Sequence, residues 1–142
     1  MDIRVIVDIV IVAVLGLMSI VALGIVINRI FFIKKVDITQ YKTLDELERS
    51  LTRYMHLLAS IGANAPYIGL LGTVAGIMVT FSVLSVDGAD MNGVMKGLSS
   101  ALFATGLGLV VAIPSVFSYN IILRNIKNII VDWKVKNGRE RI

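Results

Sequence analysis

The sequence has no cysteine, a single histidine and few charged residues. Without cysteine the chain cannot form a disulfide or a thiolate metal site, and His56 cannot build a metal site by itself. Charged residues make up 17% of the chain, against about a quarter in a typical soluble domain. Hydrophobic residues make up 56% and the mean hydropathy is +0.84, so the composition indicates a membrane domain.

Three apolar runs, at residues 5–27, 65–86 and 97–123, are each long enough to cross a bilayer. The first, of about 23 residues, makes a helix of about 34 Å, and the hydrocarbon core is about 30 Å thick. It is too long for a cleaved signal peptide, and its basic flank follows the run instead of preceding it, so we interpret it as a retained span. We therefore predict an all-α membrane protein that forms one domain over residues 1–142.

Lysine and arginine are distributed unevenly around these runs. Twelve of them lie in the segments 28–63 and 124–142, whereas only Arg4 and Lys96 lie on the other side. Because cytoplasmic flanks of membrane helices carry the excess of positive charge, we predict an N-terminus outside and both segments in the cytoplasm. The turn at 87–93 then joins two antiparallel spans. This distribution explains the net charge of +4 without a nucleic-acid partner.

An amphipathic helix is predicted in the first cytoplasmic segment. Thr43 and Glu46 have the spacing of a capping box, in which two side chains satisfy backbone donors at a helix start. We expect the apolar face of this helix to be covered either by neighbouring subunits or by the membrane helices of the same chain. That face is formed by residues recurring at steps of three and four, namely Leu44, Leu47, Leu51, Tyr54 and Leu58.

Three residues suggest where the membrane helices begin or bend. Asn64 is a candidate N-cap for the second span. Pro66 either lies in the first turn of that helix or kinks a helix that continues from the cytoplasm. Pro114 lies inside the third span and should kink it. Beyond this span the helix is predicted to continue into the cytoplasm, with one apolar face formed by Ile122, Ile126, Ile129, Ile130 and Trp133.

Glycine and threonine crowd two short stretches, 69–77 in the second span and 104–109 in the third. Glycine costs about 1 kcal/mol relative to alanine in an exposed helix, so its clustering in membrane helices indicates close packing of two backbones. Each stretch carries one threonine, Thr73 or Thr105, which either bonds back to a carbonyl one turn earlier or faces a polar pathway. The residues predicted to pack the helices are Gly69, Gly72, Gly76, Gly106, Gly108 and Pro114.

No charged residue lies in the middle of any span. A proton relay through a membrane needs a titratable group, and this chain offers only hydroxyls there, which line a wet path but cannot carry a proton as a carboxylate can. If the chain conducts protons, a partner should supply the acid. The candidate pathway residues are Thr73, Thr80, Ser100 and Thr105. The sequence shows no nucleophile–base pair, metal cluster or phosphate loop, so we predict neither an enzyme nor a cofactor site.

Residues 65–78 and 97–114, followed by Tyr119 and Asn120, resemble the second-span and third-span signatures of the ExbB/TolQ/MotA proton-channel family, most of all its ExbB branch in a short form. The resemblance covers roughly residues 61–121 and implies a homopentamer in the bacterial inner membrane. The pore of such a pentamer holds two ExbD-type single-span partners, each bearing an aspartate. Proton flow through that aspartate is then used by TonB to drive uptake across the outer membrane.

The resemblance also assigns individual residues. Thr73 and Thr105 match the pore-facing threonines of the family, whereas Ser100 stands where many ExbB and TolQ chains have a glutamate. The fourth span of MotA is absent, which makes a flagellar stator a poor fit. Three alternatives remain beside an ExbB-type subunit: a TolQ-type subunit of the Tol-Pal envelope system, a purely structural membrane scaffold, and an autonomous pore of the holin kind.

Overall fold

A computed structural model describes residues 2–87 and 90–138 of the chain. These residues form four α-helices: α1 at Ile3–Lys35, α2 at Leu44–Leu51, α3 at Met55–Asp87 and α4 at Met91–Lys136, with a single 3-10 turn at Ile38–Gln40. The described part of the chain contains no strand, which confirms the all-α prediction over those residues. Gly88 and Ala89 of the predicted turn, and Arg139 and Arg141 of the basic tail, lie outside the described residues.

The three long helices α1, α3 and α4 are each long and apolar enough to cross a membrane. Helix α3 packs antiparallel along α4, and α1 lies against both. We call the end of this bundle where α1 begins and α4 begins the short-loop end, and the opposite end, which carries α2, the basic end. In the most apolar 18-residue stretch of each long helix, only 22% to 28% is buried within the chain. The rest of the apolar surface is free to contact lipid or other subunits.

The structure confirms Thr43 as the N-cap of this helix, but Glu46 bonds the amide one residue before the one that a capping box requires, and the helix is shorter than predicted. The Thr43 hydroxyl accepts from the Glu46 amide at 3.3 Å, and the Glu46 carboxylate accepts from the Lys42 amide at 3.4 Å. The predicted continuous helix from Leu44 through Leu58 is wrong, because α2 ends at Leu51 and Tyr54 has a φ of 65°, in the left-handed region. That break separates α2 from α3 and lets both helices turn an apolar face inward.

Helix α3 starts well before the predicted second span. Asn64 is not an N-cap, since it lies inside α3 and its side-chain amide donates to the Ser60 carbonyl at 2.8 Å. Pro66 is likewise inside the helix, as in the second of the two interpretations, with a helix that continues from the basic end. Helix α4 runs without interruption from Met91, which is capped by Asp90, through Pro114 to the basic end. The prediction of one long final helix is confirmed.

A compact apolar cluster holds the basic end together. Leu47 and Leu51 of α2 are fully buried, so the apolar face of α2 is covered by helices of the same chain. Trp133 is 1% exposed, and its indole N–H donates to the Tyr41 carbonyl at 3.2 Å. The cluster joins all four helices through Ala22, Ile25, Leu47, Leu51, Met55, Leu58, Ile61, Ile122, Ile126 and Trp133.

A buried arginine fixes the break between α2 and α3. Arg29 of α1 is 3% exposed, and its guanidinium donates to the Ser50 carbonyl at 2.8 Å, near the C-terminal end of α2. It also donates to the Asn28 side chain and lies 4.6 Å from the centre of the Phe32 ring. A cation at a helix C-terminus is favourable because the last carbonyls carry partial negative charge.

Replacing Arg29 with methionine should therefore lower the stability of the basic end. We expect a loss of about 2 kcal/mol, the usual range for a hydrogen bond to a charged group, because the Ser50 carbonyl loses its donor. Thermal unfolding in detergent checks this, and Lys34→Met, at an exposed cation of the same helix end, is the matched control. Equal melting temperatures for the two variants would contradict the role given to Arg29.

Candidate functional site

The seam between α3 and α4 is built from glycines that bring the two backbones into contact. A Cβ added to Gly69 would lie 2.7 Å from the Ala104 carbonyl oxygen, and one added to Gly108 would lie 2.7 Å from the Ala65 carbonyl oxygen. Real Cβ atoms do not approach so closely, so only glycine fits at these two positions. Gly69 of the first Gly/Thr stretch and Gly108 of the second therefore lie in backbone contact.

Further small residues extend the seam along both helices. A Cβ on Gly72 would lie 2.8 Å from the Ala104 Cβ, and one on Gly76 would lie 2.9 Å from the Ala101 Cβ. Sequence reasoning did not single out Gly62, which faces Val116, or Gly97, which fits directly under Thr80. Both residues lie at helical spacing from the glycines predicted to pack the helices, and this spacing is the signal that could have identified them.

One predicted packing residue lies away from this seam. A Cβ on Gly106 would meet nothing within 4 Å in this chain, so a packing role for Gly106 stays a prediction about contacts outside the chain. Pro114 lies within α4 and borders a groove against α1. That groove is lined by Ser19, Ala22, Leu23, Val26, Val110, Val111, Pro114, Ser115 and Ser118.

Two neighbouring glycines of α4 therefore provide a matched pair of variants. Gly108→Val should force α3 and α4 apart and lower the melting temperature of the protein, since its first added atom meets backbone, whereas Gly106→Val meets open space. Overpacking of a close contact costs about 1–3 kcal/mol, and more where backbone must move. A Gly108→Val protein that unfolds at the same temperature as Gly106→Val would contradict the seam.

Thr73 and Thr105 meet inside this seam. Their hydroxyl oxygens are 2.5 Å apart and share a hydrogen bond between α3 and α4. The Thr73 hydroxyl also lies 2.9 Å from the Ala101 carbonyl oxygen of α4, and the Thr105 hydroxyl lies 3.5 Å from the Gly69 carbonyl oxygen of α3. Thr73 is 8% exposed and Thr105 is half-buried, so the pair links a buried position to a more open one.

The three threonines of the seam differ in their hydrogen bonds. Thr80 bonds back to the Gly76 carbonyl of its own helix at 2.8 Å, as a merely structural threonine does. Thr73 has only a long bond of 3.4 Å to the Gly69 carbonyl one turn back, and both bonds found for Thr105 cross to α3. The hydroxyls of Thr73 and Thr105 therefore bond mainly to each other's helix.

Ser100, the fourth candidate, faces α1 instead of α3. Its hydroxyl donates to the Asp8 carboxylate of α1 at 3.4 Å. One turn away, the Arg4 guanidinium donates to the Lys96 carbonyl at 3.2 Å. A carboxylate thus does approach position 100, where the resemblance places a glutamate, but it belongs to the first helix. No local sequence pattern connects residues so far apart in the chain.

The chemistry open to this arrangement is hydrogen-bond exchange. A hydroxyl both donates and accepts a hydrogen bond. The two hydroxyls can therefore exchange donor and acceptor roles between the helices while both side chains stay neutral. Among the residues that the structure describes, no three His, Cys, Asp or Glu side chains are grouped as a metal site would need. The fold and the seam define the class of protein: a multi-pass helical membrane protein with paired hydroxyls buried between two glycine-packed spans.

The chain belongs to the MotA/TolQ/ExbB proton channel family, whose family model matches residues 34–135. It is similar to the biopolymer transport protein ExbB of Aquifex aeolicus, with 39% identity over 138 residues that cover 96% of this chain and 93% of that protein. It is also similar to the biopolymer transport protein ExbB of Helicobacter pylori, with 50% identity over 119 residues, 83% of this chain and 82% of that protein. The resemblance predicted from the two span signatures is confirmed.

A Tol-Pal relative matches over a shorter part of the chain. The Tol-Pal system protein TolQ of Pseudomonas aeruginosa is 45% identical over 74 residues, which cover 51% of this chain and 32% of that protein. The relatives named ExbB in Aquifex aeolicus and Helicobacter pylori thus cover more of this chain, and more of their own length, than this TolQ does.

Proposed function

We propose that this chain is an ExbB-type proton-channel subunit of the bacterial inner membrane, with its N-terminus outside. Together with an ExbD-type single-span partner it couples the proton motive force to TonB-dependent uptake across the outer membrane. The observation that carries this proposal is the hydrogen bond between Thr73 and Thr105 inside a seam of membrane helices. The similarity to two ExbB proteins, which extends over most of this chain and most of each relative, supports the ExbB branch of the family.

The residues in the membrane spans indicate which protein supplies the group that carries the proton. The middle of each span offers hydroxyls and no acid, so the group that carries the proton past Thr73 and Thr105 comes from the aspartate of the partner. Five copies of this chain surround two partner helices in the proposed assembly. One elementary charge crossing a potential of 100 mV releases about 2.3 kcal/mol, so a few protons supply the energy of a useful conformational cycle.

Exposed apolar residues on α3 and α4 support an assembly of several chains. Tyr67, Leu71 and Met78 of α3 and Leu102 and Phe103 of α4 are each at least 60% exposed in the single chain. Lipid tails cover such residues in a lone subunit, and neighbouring subunits and the partner helices cover part of them in the pentamer. The short-loop end then faces outside and the basic end faces the cytoplasm.

Native mass spectrometry of the tagged protein, extracted gently from its own membrane, tests the composition of the assembly. We expect five copies of this chain with two copies of a smaller single-span protein that carries a membrane aspartate. The sequence of that partner distinguishes an ExbD-type protein from the TolR-type protein that the Tol-Pal alternative requires. A bare homo-oligomer, reproduced in several detergents, would contradict the proposal and favour a scaffold or an autonomous pore.

A further inference from the structure

Asp8 is the only charged residue within the three apolar runs at 5–27, 65–86 and 97–123. It lies about one and a half turns into α1, near the short-loop end, and it is half-buried. An ionisable residue inside a membrane span is costly and marks a functional site more often than a structural one. The proposed function uses the hydroxyls of α3 and α4 and gives no role to this carboxylate.

Two successive polar contacts join Asp8 and its neighbour on α1 to α4. Arg4 and Asp8 are one turn apart on α1, and they bond to Lys96 and Ser100, which are one turn apart on α4. The Ser100–Asp8 bond of 3.4 Å is longer than the roughly 2.7–2.8 Å usual for O–H···O. The carboxylate is therefore held beside α4 without being locked to it.

The part of α4 around Ser100 also contacts the threonine pair. Ala101, the residue after Ser100, offers its carbonyl to the Thr73 hydroxyl at 2.9 Å. On α1, Ile11 lies one turn inward from Asp8, and a Cβ on Gly72 would meet the Ile11 side chain at 3.1 Å. Asp8 therefore lies about one helical turn closer to the short-loop end than the threonine pair.

We propose that Asp8 is a proton-binding group of this subunit, placed at the entrance to the hydroxyl pathway and linked to α4 through Ser100. This inference rests on the proposed channel function and deepens it. The ionised carboxylate accepts the Ser100 O–H; uptake of one proton from water makes it a neutral acid, whose new O–H donates to the Ser100 oxygen. A shallow depression reaches Ser100 from the surface, lined by Met95, Lys96, Ser99, Ser100 and Phe103.

The charges at the Asp8 end of the bundle come from three helices. Arg4 lies one turn before Asp8 on α1 and donates to the Lys96 carbonyl, and Lys96 lies one turn before Ser100 on α4. Helix α3 ends at this same end of the bundle with Asp87. Helix α3 contributes no charged residue between 57 and 86. A purely structural role for Asp8 would need only an oxygen that accepts the Ser100 hydrogen bond, and an amide oxygen supplies that as well as a carboxylate.

Proton flux through the whole complex, reconstituted with its partner in vesicles, separates the two roles. Asp8→Asn keeps the accepting oxygen and removes the proton-binding group, so we expect flux to fall about 100-fold or more, the range for loss of a general acid–base group. Asp8→Glu should retain most of the flux. Asp2→Asn, which changes an exposed carboxylate at the start of the same helix, is the matched control and should conduct normally. Wild-type flux in Asp8→Asn would overturn the inference and leave the channel function standing.

Exchanging the two side chains provides a second test. The double variant Asp8→Ser with Ser100→Asp restores a carboxylate–hydroxyl pair with the carboxylate on α4, whereas Asp8→Ser alone has no carboxylate at this level. We expect the double variant to conduct at least several-fold faster than Asp8→Ser. If Asp8→Asn fails to assemble, the exchange decides: equal flux in the double variant and Asp8→Ser overturns the inference.

Chemical labelling tests proton binding when the complex shows no flux at all. A hydrophobic carbodiimide adds the O–H of a protonated carboxyl group across its C=N bond and leaves an acylurea that retains all atoms. Mass spectrometry of the treated complex should find the adduct on Asp8 and not on Asp2. A complex that neither conducts nor labels at Asp8 would overturn both proposals, whereas labelling without conduction would overturn only the channel function.

Discussion

Replacing Thr73 with valine in the assembled complex is expected to reduce proton flux about 5- to 150-fold while the protein stays folded. Valine has nearly the shape of threonine, so the seam keeps its packing, but Thr105 loses the hydroxyl that it meets at 2.5 Å. Thr105 then retains only the 3.5 Å contact to the Gly69 carbonyl oxygen. Loss of a hydrogen-bond partner inside a protein costs about 1–3 kcal/mol, and each 1.4 kcal/mol in a barrier is about tenfold in rate. Thr105→Val should have the same effect, since it removes the other half of the pair.

Two further threonine variants make this prediction specific. Thr73→Ser keeps the hydroxyl and should conduct within a few-fold of the wild-type protein. Thr80→Val removes a hydroxyl that bonds within α3 to the Gly76 carbonyl, so its loss of flux should be smaller than that of Thr73→Val. Normal flux in both Thr73→Val and Thr105→Val, together with failed assembly of Gly72→Leu, would instead favour a structural scaffold.

Replacing Trp133 with alanine is expected to lower the free energy of unfolding by about 3–5 kcal/mol, the range for removing a large buried aromatic side chain. Trp133 is 1% exposed and lies where α4 meets the other helices at the basic end. Its truncation leaves a cavity and removes the N–H donor of the Tyr41 carbonyl. Thermal or denaturant unfolding of the purified protein in detergent measures the loss.

Trp133→Phe keeps a six-membered ring in the cluster while it removes the N–H donor and a small part of the ring volume, so it should cost less than Trp133→Ala. We expect it to cost about 1–2 kcal/mol. Val135→Ala, at a position 55% exposed on the same helix, should change little. Complexes of Trp133→Ala that do assemble should conduct normally, because the threonine pair lies toward the other end of the bundle. Wild-type stability in Trp133→Ala would contradict the role given to the basic-end cluster.

Hydropathy and helical periodicity predicted most of the fold, because each acts within one helix. The three spans, the N-cap at Thr43 and the final helix that continues past the third span all follow from patterns that repeat within a few residues. The break at Tyr54 does not, since nothing in the local sequence marks a left-handed residue there. It forms where Arg29 of α1 holds the end of α2, which is a tertiary contact. Asn64 is a plausible cap by residue type, because Asn commonly caps helices, but α3 begins at Met55 and runs through it.

In the candidate site, too, the sequence predicts features within one helix but not the contacts between distant helices. Glycine clustering predicts close packing of the two stretches, and Thr73 and Thr105 are the hydroxyl residues within them. The sequence could not pair Ser100 with Asp8, because 92 positions separate them and only the packing of α1 against α4 brings them together. Gly106 shows that glycine clustering can also predict too much. It lies in the same glycine-rich stretch as Gly108, yet a Cβ added to it would contact nothing in this chain.

The measurement that tests the central claim most directly is proton flux into vesicles that contain either this chain alone or the complete complex with its single-span partner. The account predicts little flux from the chain alone, rapid flux from the complex, and loss of that flux when the partner aspartate or the hydroxyl pair of Thr73 and Thr105 is removed. Equal flux with and without the partner, unaffected by Thr73→Val or Thr105→Val, would contradict it.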